Sequence, residues 1–253
     1  MLFRSKILAG ITSDNRSDNI GCVVCVNFVK RSKVSLVMKK LQLFIKRVAD
    51  ILISSVMILV LIAIPVLIII PIAIRLDSKG PAVFTQDRTG KDGKVFKIYK
   101  FRTMRIPEES FGAEGNPLTP KQRITKVGRI LRKTSLDELM QLFNVLNGTM
   151  SFVGPRPMLP NQAAVLDAQQ SQRHAMRPGV TGWAQVHGRN DLSWGQKIPY
   201  DLQYIENYSL WLDIKVLFKT VGVVLKTEGI DFKDGDTLLK QTEQKSEEEV
   251  SAK

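Results

Sequence analysis

From Ile51 to Ile74 the chain carries no charged side chain, and only Ser54, Ser55, Pro65 and Pro71 interrupt the aliphatic run. At ~1.5 Å per residue a helix of this length reaches ~36 Å, enough for the ~30 Å hydrocarbon core of a bilayer. Globular helices seldom run so far without a polar face, so the pattern predicts a membrane segment. The run is too long and starts too late for a signal peptide, and no small-residue cleavage site follows it. Lys39, Lys40, Lys46 and Arg47 precede the run, and Arg75, Lys79, Arg88 and Lys91 follow it. Basic flanks mark the cytoplasmic side, and here both flanks qualify. Pro65, near the middle, removes a backbone hydrogen bond and kinks a helix. A bent re-entrant hairpin satisfies both facts. A straight span that tolerates its proline is the alternative these residues leave open.

Residues 1–37 have another character: polar and aperiodic up to Asn19, then a short apolar patch with the pair Cys22 and Cys25. A lone CxxC is a weak metal or redox signal, and two cysteines exclude a disulfide-stapled fold. Met38 followed by Lys39-Lys40-Leu41 reads like a natural start, so 1–37 is expected to be an over-extended or dispensable tail.

In residues 75–230 the spacing predicts short strands at Pro81–Phe84 and Val95–Tyr99, separated by the turn Thr89–Gly93. Glu108–Thr119 is predicted to be a loop. Helices are predicted over Val127–Arg132, Leu136–Leu146 and Pro160–Arg173, and an ordered binding loop over Arg177–Asn190. Trp211–Lys226 is amphipathic, with Lys215, Lys219 and Lys226 on its polar side. It suits an anionic membrane interface or a core-facing position equally. From Asp231 onward an acidic, disordered tail is expected. The expected class is α/β, mostly helical with a few short strands.

Charge narrows the function. The chain has 253 residues, 37 Lys+Arg against 24 Asp+Glu, and a net charge of +13, which calls for an anionic partner. The basic residues are scattered rather than set on one helix or between aromatic residues, so nucleic acid is not the expected partner. Ser135 and Glu138 fit a capping box at the start of the Leu136–Leu146 helix. Asp137, not needed for the box, would lie at the positive end of the helix dipole, which lowers a carboxylate's pKa. Two adjacent carboxylates could hold a divalent cation brought by a phosphorylated substrate. Lys100, Arg102, Arg132 and Arg156 lie in short motifs around this point, and Arg156 is stiffened by flanking prolines. Arginine forks suit phosphate oxygens. The set points to phosphate chemistry at a membrane.

Several stretches then occur in a familiar order: Lys46-Arg-Val-Ala-Asp50, Phe84-Thr-Gln-Asp-Arg88, Phe96-Lys-Ile-Tyr-Lys-Phe-Arg-Thr-Met104, Ser135-Leu-Asp-Glu-Leu-Met-Gln-Leu-Phe-Asn144, Met150-Ser-Phe-Val-Gly-Pro-Arg-Pro157 and Arg177-Pro-Gly-Val-Thr-Gly-Trp-Ala-Gln-Val186. From about Met38 to Gly229 the chain resembles the bacterial sugar transferases, the monotopic polyprenyl-phosphate phosphoglycosyl transferases. It looks most like their short form, which includes the Campylobacter-type bacillosamine-phosphate transferases.

The resemblance implies transfer of a sugar 1-phosphate from a UDP-sugar to undecaprenyl phosphate, with release of UMP, as the first membrane step of a surface glycan. An N-acetylated amino or deoxyamino sugar is expected, with glucose or galactose as the alternative. It implies Asp137 as nucleophile, forming a covalent aspartyl-phosphosugar, and Glu138, with or without Asp137, as the Mg²⁺ ligand. Lys100, Arg132 and Arg156 would hold phosphate. Lys46, Arg47 and Asp50 would sit at the lipid headgroups, and Pro65 would break a re-entrant membrane helix spanning 38–76. Residues 77–230 would form a small cytosolic catalytic domain with interfacial amphipathic helices, and 231–253 the acidic tail. Arg177, Pro178, Gly179, Thr181, Gly182, Trp183, Gln185, His187 and Arg189 would form the nucleotide-sugar loop. Expected surroundings are the bacterial cytoplasmic membrane, its lipids and downstream glycosyltransferases of the same pathway; a homodimer is compatible. A catalytically dead membrane scaffold is the competing class, and the intact Asp137–Glu138 pair with Arg156 argues against it. Two positions depart from the family pattern: Ile64 stands where Ser usually precedes the membrane proline, and His187 where Asn is usual.

Overall fold

The computed structural model describes residues 18–111, 116–119, 121–188 and 192–225, with side chains placed between 37 and 223 within those ranges. Arg189 and the acidic tail lie outside the described residues. The chain divides into two compact units, Met1–Phe44 and Ile45–Lys253.

Helix α1 (Asp18–Ala63) runs through Met38 without interruption, so the expected boundary there is not a break in secondary structure. Helix α2 (Val66–Asp77) restarts after Pro65, and Val37–Ala63 and Val66–Asp77 lie at 64° to one another. Pro65 has no N–H to donate, but its carbonyl accepts from Ile68 and Ile69 and so starts the new helix. Pro71 is carried inside α2. Among the described residues no single helix is long and apolar enough to cross a membrane; this bent pair is, by length and composition. Its large apolar side chains face outward, Leu59 at 66% and Leu52 at 60% exposure, and only Ser54, Ile58 and Ile74 are buried within the apolar run.

Lys46, Arg47 and Asp50 on one side of the apolar run and Asp77 on the other are tied to the rest of the second unit. Strands β1 (Val83–Thr89) and β2 (Val95–Phe101) form an antiparallel hairpin from Val83↔Phe101 to Thr89↔Val95. β1 is longer than predicted, because its polar second half still pairs with β2. Helix α3 (Lys126–Lys133) is capped by Thr125, whose side chain accepts from Gly128 N at 2.9 Å. The predicted Leu136–Leu146 helix is two pieces: a 3-10 turn at Leu136–Met140, then α4 (Gln141–Asn147), which Gly148 ends in the left-handed region at φ +87°. β3 (Ser151–Val153) pairs in parallel with β4 (Gly179–Thr181).

Between them, the predicted Pro160–Arg173 helix is also split, into α5 (Pro160–Ala164) and a 3-10 segment at Gln170–Ala175. Asp167 and Gln170 exchange side chain–backbone hydrogen bonds at 2.8 and 3.2 Å, competing with a continuous helix. Helix α6 (Gln185–Gly188) lies within the expected binding loop. Helix α7 (Trp194–Glu206) is not anticipated by the periodicity. Its start carries a local signal, Gln196 Oε1 accepting from Ser193 N at 2.9 Å. Helix α8 (Leu210–Leu225) closes the described fold.

Apolar burial positions the site. Ile74 of α2, Ala82, Phe101 and Leu131 form one core cluster, with Leu136, Leu139 and Met140 packed against it. Val153, Met176, Tyr204, Tyr208 and Val216 form a second, joining β3 to α7 and α8. The fold class is thus as expected, mostly helical with four short strands among the described residues.

Candidate active site

The 3-10 turn sends Leu136, Leu139 and Met140 into the core, and this leaves Asp137 and Glu138 on its other side. The capping box is not formed. Ser135 sits at φ +57° in the left-handed region and makes no side-chain cap. Glu138 instead turns to β2 and the Gly-Pro-Arg-Pro turn: its Oε1 accepts from Lys100 Nζ at 2.8 Å and from Arg156 Nη2 at 3.3 Å. Charge partners with fixed positions outcompete a cap that the backbone conformation cannot offer.

The two carboxylates are driven in opposite directions. Burial opposes ionisation of Glu138, but Lys100 and then Arg156 outweigh it and hold its pKa down at about 2. Asp137 is pushed up, first by burial and then by the Glu138 charge, with Lys100, Arg132 and Arg156 working against the rise. This corrects the expectation that a helix dipole lowers it: a short 3-10 turn offers little dipole, and burial is the larger effect. Arg132 is lowered by burial, with Asp137 opposing, and its Nε donates to Thr103 Oγ1 at 2.8 Å. Asp137 therefore stands among cations that exceed the local carboxylates.

Arg88, the last residue of the Phe84–Arg88 motif, joins them, and no local signal in the sequence marks it as a site residue. Its pKa is pushed down to about 10 by burial and by Arg156, with Glu138 opposing. Arg88, Lys100, Gln141, Arg156, Pro157 and Gly179 line an open hollow of about 250 Å³. The turn carrying Arg156 is pinned from both sides. Gly154 N donates to Thr181 O at 2.9 Å and Gly179 N to Pro155 O at 3.0 Å. A Cβ on Gly179 would lie 2.1 Å from Gly154 N, so only glycine permits this approach.

Residues 41–227 match the family described as Bacterial sugar transferase. The chain belongs to the bacterial sugar transferase family. It is 46% identical over 177 residues to the Bacillus subtilis "Uncharacterized sugar transferase EpsL", covering 70% of this chain and 82% of that one. Identity is 44% over 190 residues to the Escherichia coli UDP-glucose:undecaprenyl-phosphate glucose-1-phosphate transferase, covering 70% of this chain and 39% of the relative. It is 41% over 199 residues to an Aeromonas hydrophila UDP-N-acetylgalactosamine-undecaprenyl-phosphate N-acetylgalactosaminephosphotransferase, covering 76% of this chain and 46% of the relative. The chain thus spans less than half of the two longer relatives.

Other expected site residues of this family member are placed elsewhere. Arg102 is buried, and its guanidinium donates to the carbonyls of Ser78 at 2.8 Å, Gly80 at 3.4 Å and Lys79; it staples the end of α2 rather than facing the carboxylates. Lys46 Nζ donates to Asp213 Oδ2 at 2.6 Å inside the protein, and Asp213 Oδ1 accepts from Tyr204 at 2.6 Å. Arg47 donates to the carbonyls of Val145 and Leu146 at 2.6 and 2.9 Å, and Asp50 accepts from Phe152 N at 3.2 Å. These three dock α1 onto α8, α4 and β3. Each of the three thus has a partner inside the protein.

The expected nucleotide-sugar loop divides. Gly179 lines the hollow, and Pro178 lines a smaller one beside Arg156. Arg177 Nε donates to Gly148 O at 2.8 Å, and Gly182 packs against Gly154. Thr181 meets Thr220 at 2.7 Å, Gln185 donates to Val180 O at 2.9 Å, and Trp183 donates to Gln203 at 2.9 Å. His187 stacks on Tyr200 at 5.0 Å and contacts Trp183 at 4.3 Å.

Among the described residues no group of three or more His, Cys, Asp and Glu side chains is placed to hold a metal. Both ion pairs of Glu138 fall on Oε1, and Asp137 is its neighbour. Two carboxylates suit Mg²⁺, which is commonly bound by one or two carboxylates together with substrate phosphates.

Proposed function

We propose that this chain transfers a sugar 1-phosphate from a UDP-sugar to undecaprenyl phosphate, releasing UMP. The observation that carries the proposal is the excess of cations around Asp137, in a chain whose bent apolar helix pair exposes most of its large side chains. Ionised Asp137 attacks the phosphorus that bears the sugar. The bond to the UMP phosphate breaks, UMP departs with the electron pair, and an acyl phosphate remains on Asp137. A phosphate oxygen of undecaprenyl phosphate then attacks the same phosphorus and frees Asp137.

Lys100, Arg132, Arg156 and Arg88 neutralise the diphosphate and hold it in line. Glu138, with Asp137, would hold Mg²⁺, which supplies further charge neutralisation on the diphosphate. The elevated pKa of Asp137 suits a carboxylate less stabilised by its resting surroundings than Glu138. The names of the relatives, which cover glucose and N-acetylgalactosamine, keep both sugar classes in play, with an N-acetylated amino sugar as our first choice. The lipid-linked product would feed downstream glycosyltransferases.

The same reading makes the protein monotopic, on the cytoplasmic face of the bacterial inner membrane. Lys46 and Arg47 tie the entering helix to the body, while Ile74 is buried and Asp77 accepts from Val127 N at 2.8 Å at the returning end. Both flanks of the apolar run, at Lys46 and Arg47 and at Ile74 and Asp77, are tied to the second unit, which favours a re-entrant hairpin over a span. On α8, Asp213 and Val216 face inward while Trp211 and Phe218 are 73% and 76% exposed, which favours the interfacial reading of that helix.

The test of the reaction is a panel of UDP-sugars given to the protein in lipid nanodiscs with Mg²⁺ and no acceptor. One sugar should release about one UMP per protein and leave its phosphate bound, as a two-step covalent route requires. UMP release only when undecaprenyl phosphate is added, with no adduct trapped, would replace the covalent route by direct transfer. For topology, externally applied thiol reagent should miss both Lys40→Cys and Lys79→Cys in intact cells; labelling of one alone would establish a span.

A further inference from the structure

Arg156 contacts Glu138 from a turn whose four successive carbonyls are all taken. Pro155 O accepts from Gly179 N at 3.0 Å, Pro157 O from Arg88 Nη1 at 3.4 Å, and Met158 O from Thr89 N at 2.9 Å. The carbonyl of Arg156 itself is held by a buried side chain, Arg173 Nη2, at 2.9 Å. Arg173 is in turn sealed against Asp201 of α7, with Nε and Nη2 at 3.1 and 2.5 Å from Oδ2 and side-chain exposures of 1% and 2%. The ring of Trp194 lies 5.4 Å from the Arg173 guanidinium.

We infer that Arg173, locked by Asp201, is a positioning residue that fixes the main chain at Arg156 and thereby aims the Arg156 guanidinium into the phosphate hollow. A buried ion pair is weak evidence for stability, because desolvating both charges offsets most of their attraction. The third bond, to the Arg156 carbonyl, is what an apolar replacement could not supply. Arginine's planar fork reaches Asp201 and that carbonyl together; a lysine ammonium on a flexible stem lacks this rigid geometry. Pro155 and Pro157 can donate no N–H, so the turn depends on what grips its carbonyls. Helix α7, which carries no residue of the hollow, thereby acts on the site through Arg173. The inference rests on the proposed diphosphate site.

The test is a double-mutant cycle read by binding of UDP with MgCl₂ to the full chain in nanodiscs, by calorimetry, with UMP release measured in parallel. Arg173→Lys should weaken UDP binding about tenfold at nearly unchanged melting temperature, a modest loss beside the ~100-fold that a 1 Å misplacement can produce. Arg156→Ala should weaken it at least as much. The double variant should bind like Arg156→Ala alone, since nothing remains to be aimed. Where Arg173→Lys does not fold, Asp201→Asn completes the same cycle. Losses that multiply in the double variant, or UDP binding by Arg173→Lys equal to wild type, would overturn the positioning role. Wild-type protein that binds UDP but releases no UMP from any UDP-sugar would overturn the transferase reading alone. Absence of UDP binding by the wild type would sink both.

Discussion

Two charged clusters in this protein differ in ways that explain what each does. Around Asp137 and Glu138 the cations outnumber the carboxylates, and Glu138 keeps 21% of its side chain exposed. Around Arg173 and Asp201 the two side chains form a direct ion pair and both are sealed, with Lys197 adding only a further electrostatic pull on Asp201. The first cluster has charge left over and a way in, so an anionic substrate can complete it. The second is paired already and turns the other Nη2 hydrogen to the main chain of Arg156. Lys46 with Asp213 belongs to the second kind, which is why a lysine expected at the lipid surface is a structural tie.

The comparison breaks most sharply at Asp137. Asp137→Asn keeps the shape but is a far poorer nucleophile, so UMP release should fall below detection while the thermal melt stays within a degree or two. Detectable adduct in this variant would move the nucleophile elsewhere. Glu138→Gln should follow, with kcat reduced roughly 100-fold, the scale of losing one preorganised electrostatic partner. Its fold should survive because the side chain is not a cap here. Near-wild-type turnover would mean that Lys100 and Arg156 are held without it.

The Lys46–Asp213 tie should fail through stability instead. Lys46→Ala leaves Asp213 buried without its cation and should lower stability by about 3–5 kcal/mol, measured by denaturant titration. Arg102→Ala removes a staple of carbonyl contacts and should lower it by about 1–3 kcal/mol, with UMP release per folded molecule unchanged. A selective loss of turnover at intact stability would return Arg102 to the phosphate site.

The smallest effect is a pH window. Glu138 has its folded pKa depressed from 4.5 to about 2, so its charge contributes stability that is fully present above about 4.5. That contribution is lost as pH falls through the window toward 2. The stability difference between wild type and Glu138→Gln should therefore be constant near neutrality and shrink below pH 4.5. Asp137 is shifted the other way, so turnover should begin to fail in acid at a pH above the usual aspartate range.

Much of this was legible along the chain. Proline's missing N–H marked the break at Pro65, and the uncharged run around it marked a segment that water would not cover. A glycine closing a helix announces itself locally, and Gly148 ends α4 as that signal predicts. What was hidden was partnership. Ser135 and Glu138 have the spacing of a capping box, yet Lys100 and Arg156, distant in sequence, claim the glutamate. Arg102 sits two residues from Lys100 but lies just past the end of β2 at Phe101, and its guanidinium turns to the carbonyls of Ser78, Lys79 and Gly80.

The sequence by itself determined the long uncharged apolar run, the family motifs and the adjacency of Asp137 and Glu138, because these rest on hydrophobic length and on local chemistry along the chain. Only the tertiary structure decided which cations face that pair, that Arg88 joins them, that Lys46, Arg47 and Asp50 are internal ties, and that α7 reaches the site through Asp201 and Arg173. An ion pair depends on distance and burial in three dimensions, and neither is encoded in the spacing of residues along the chain.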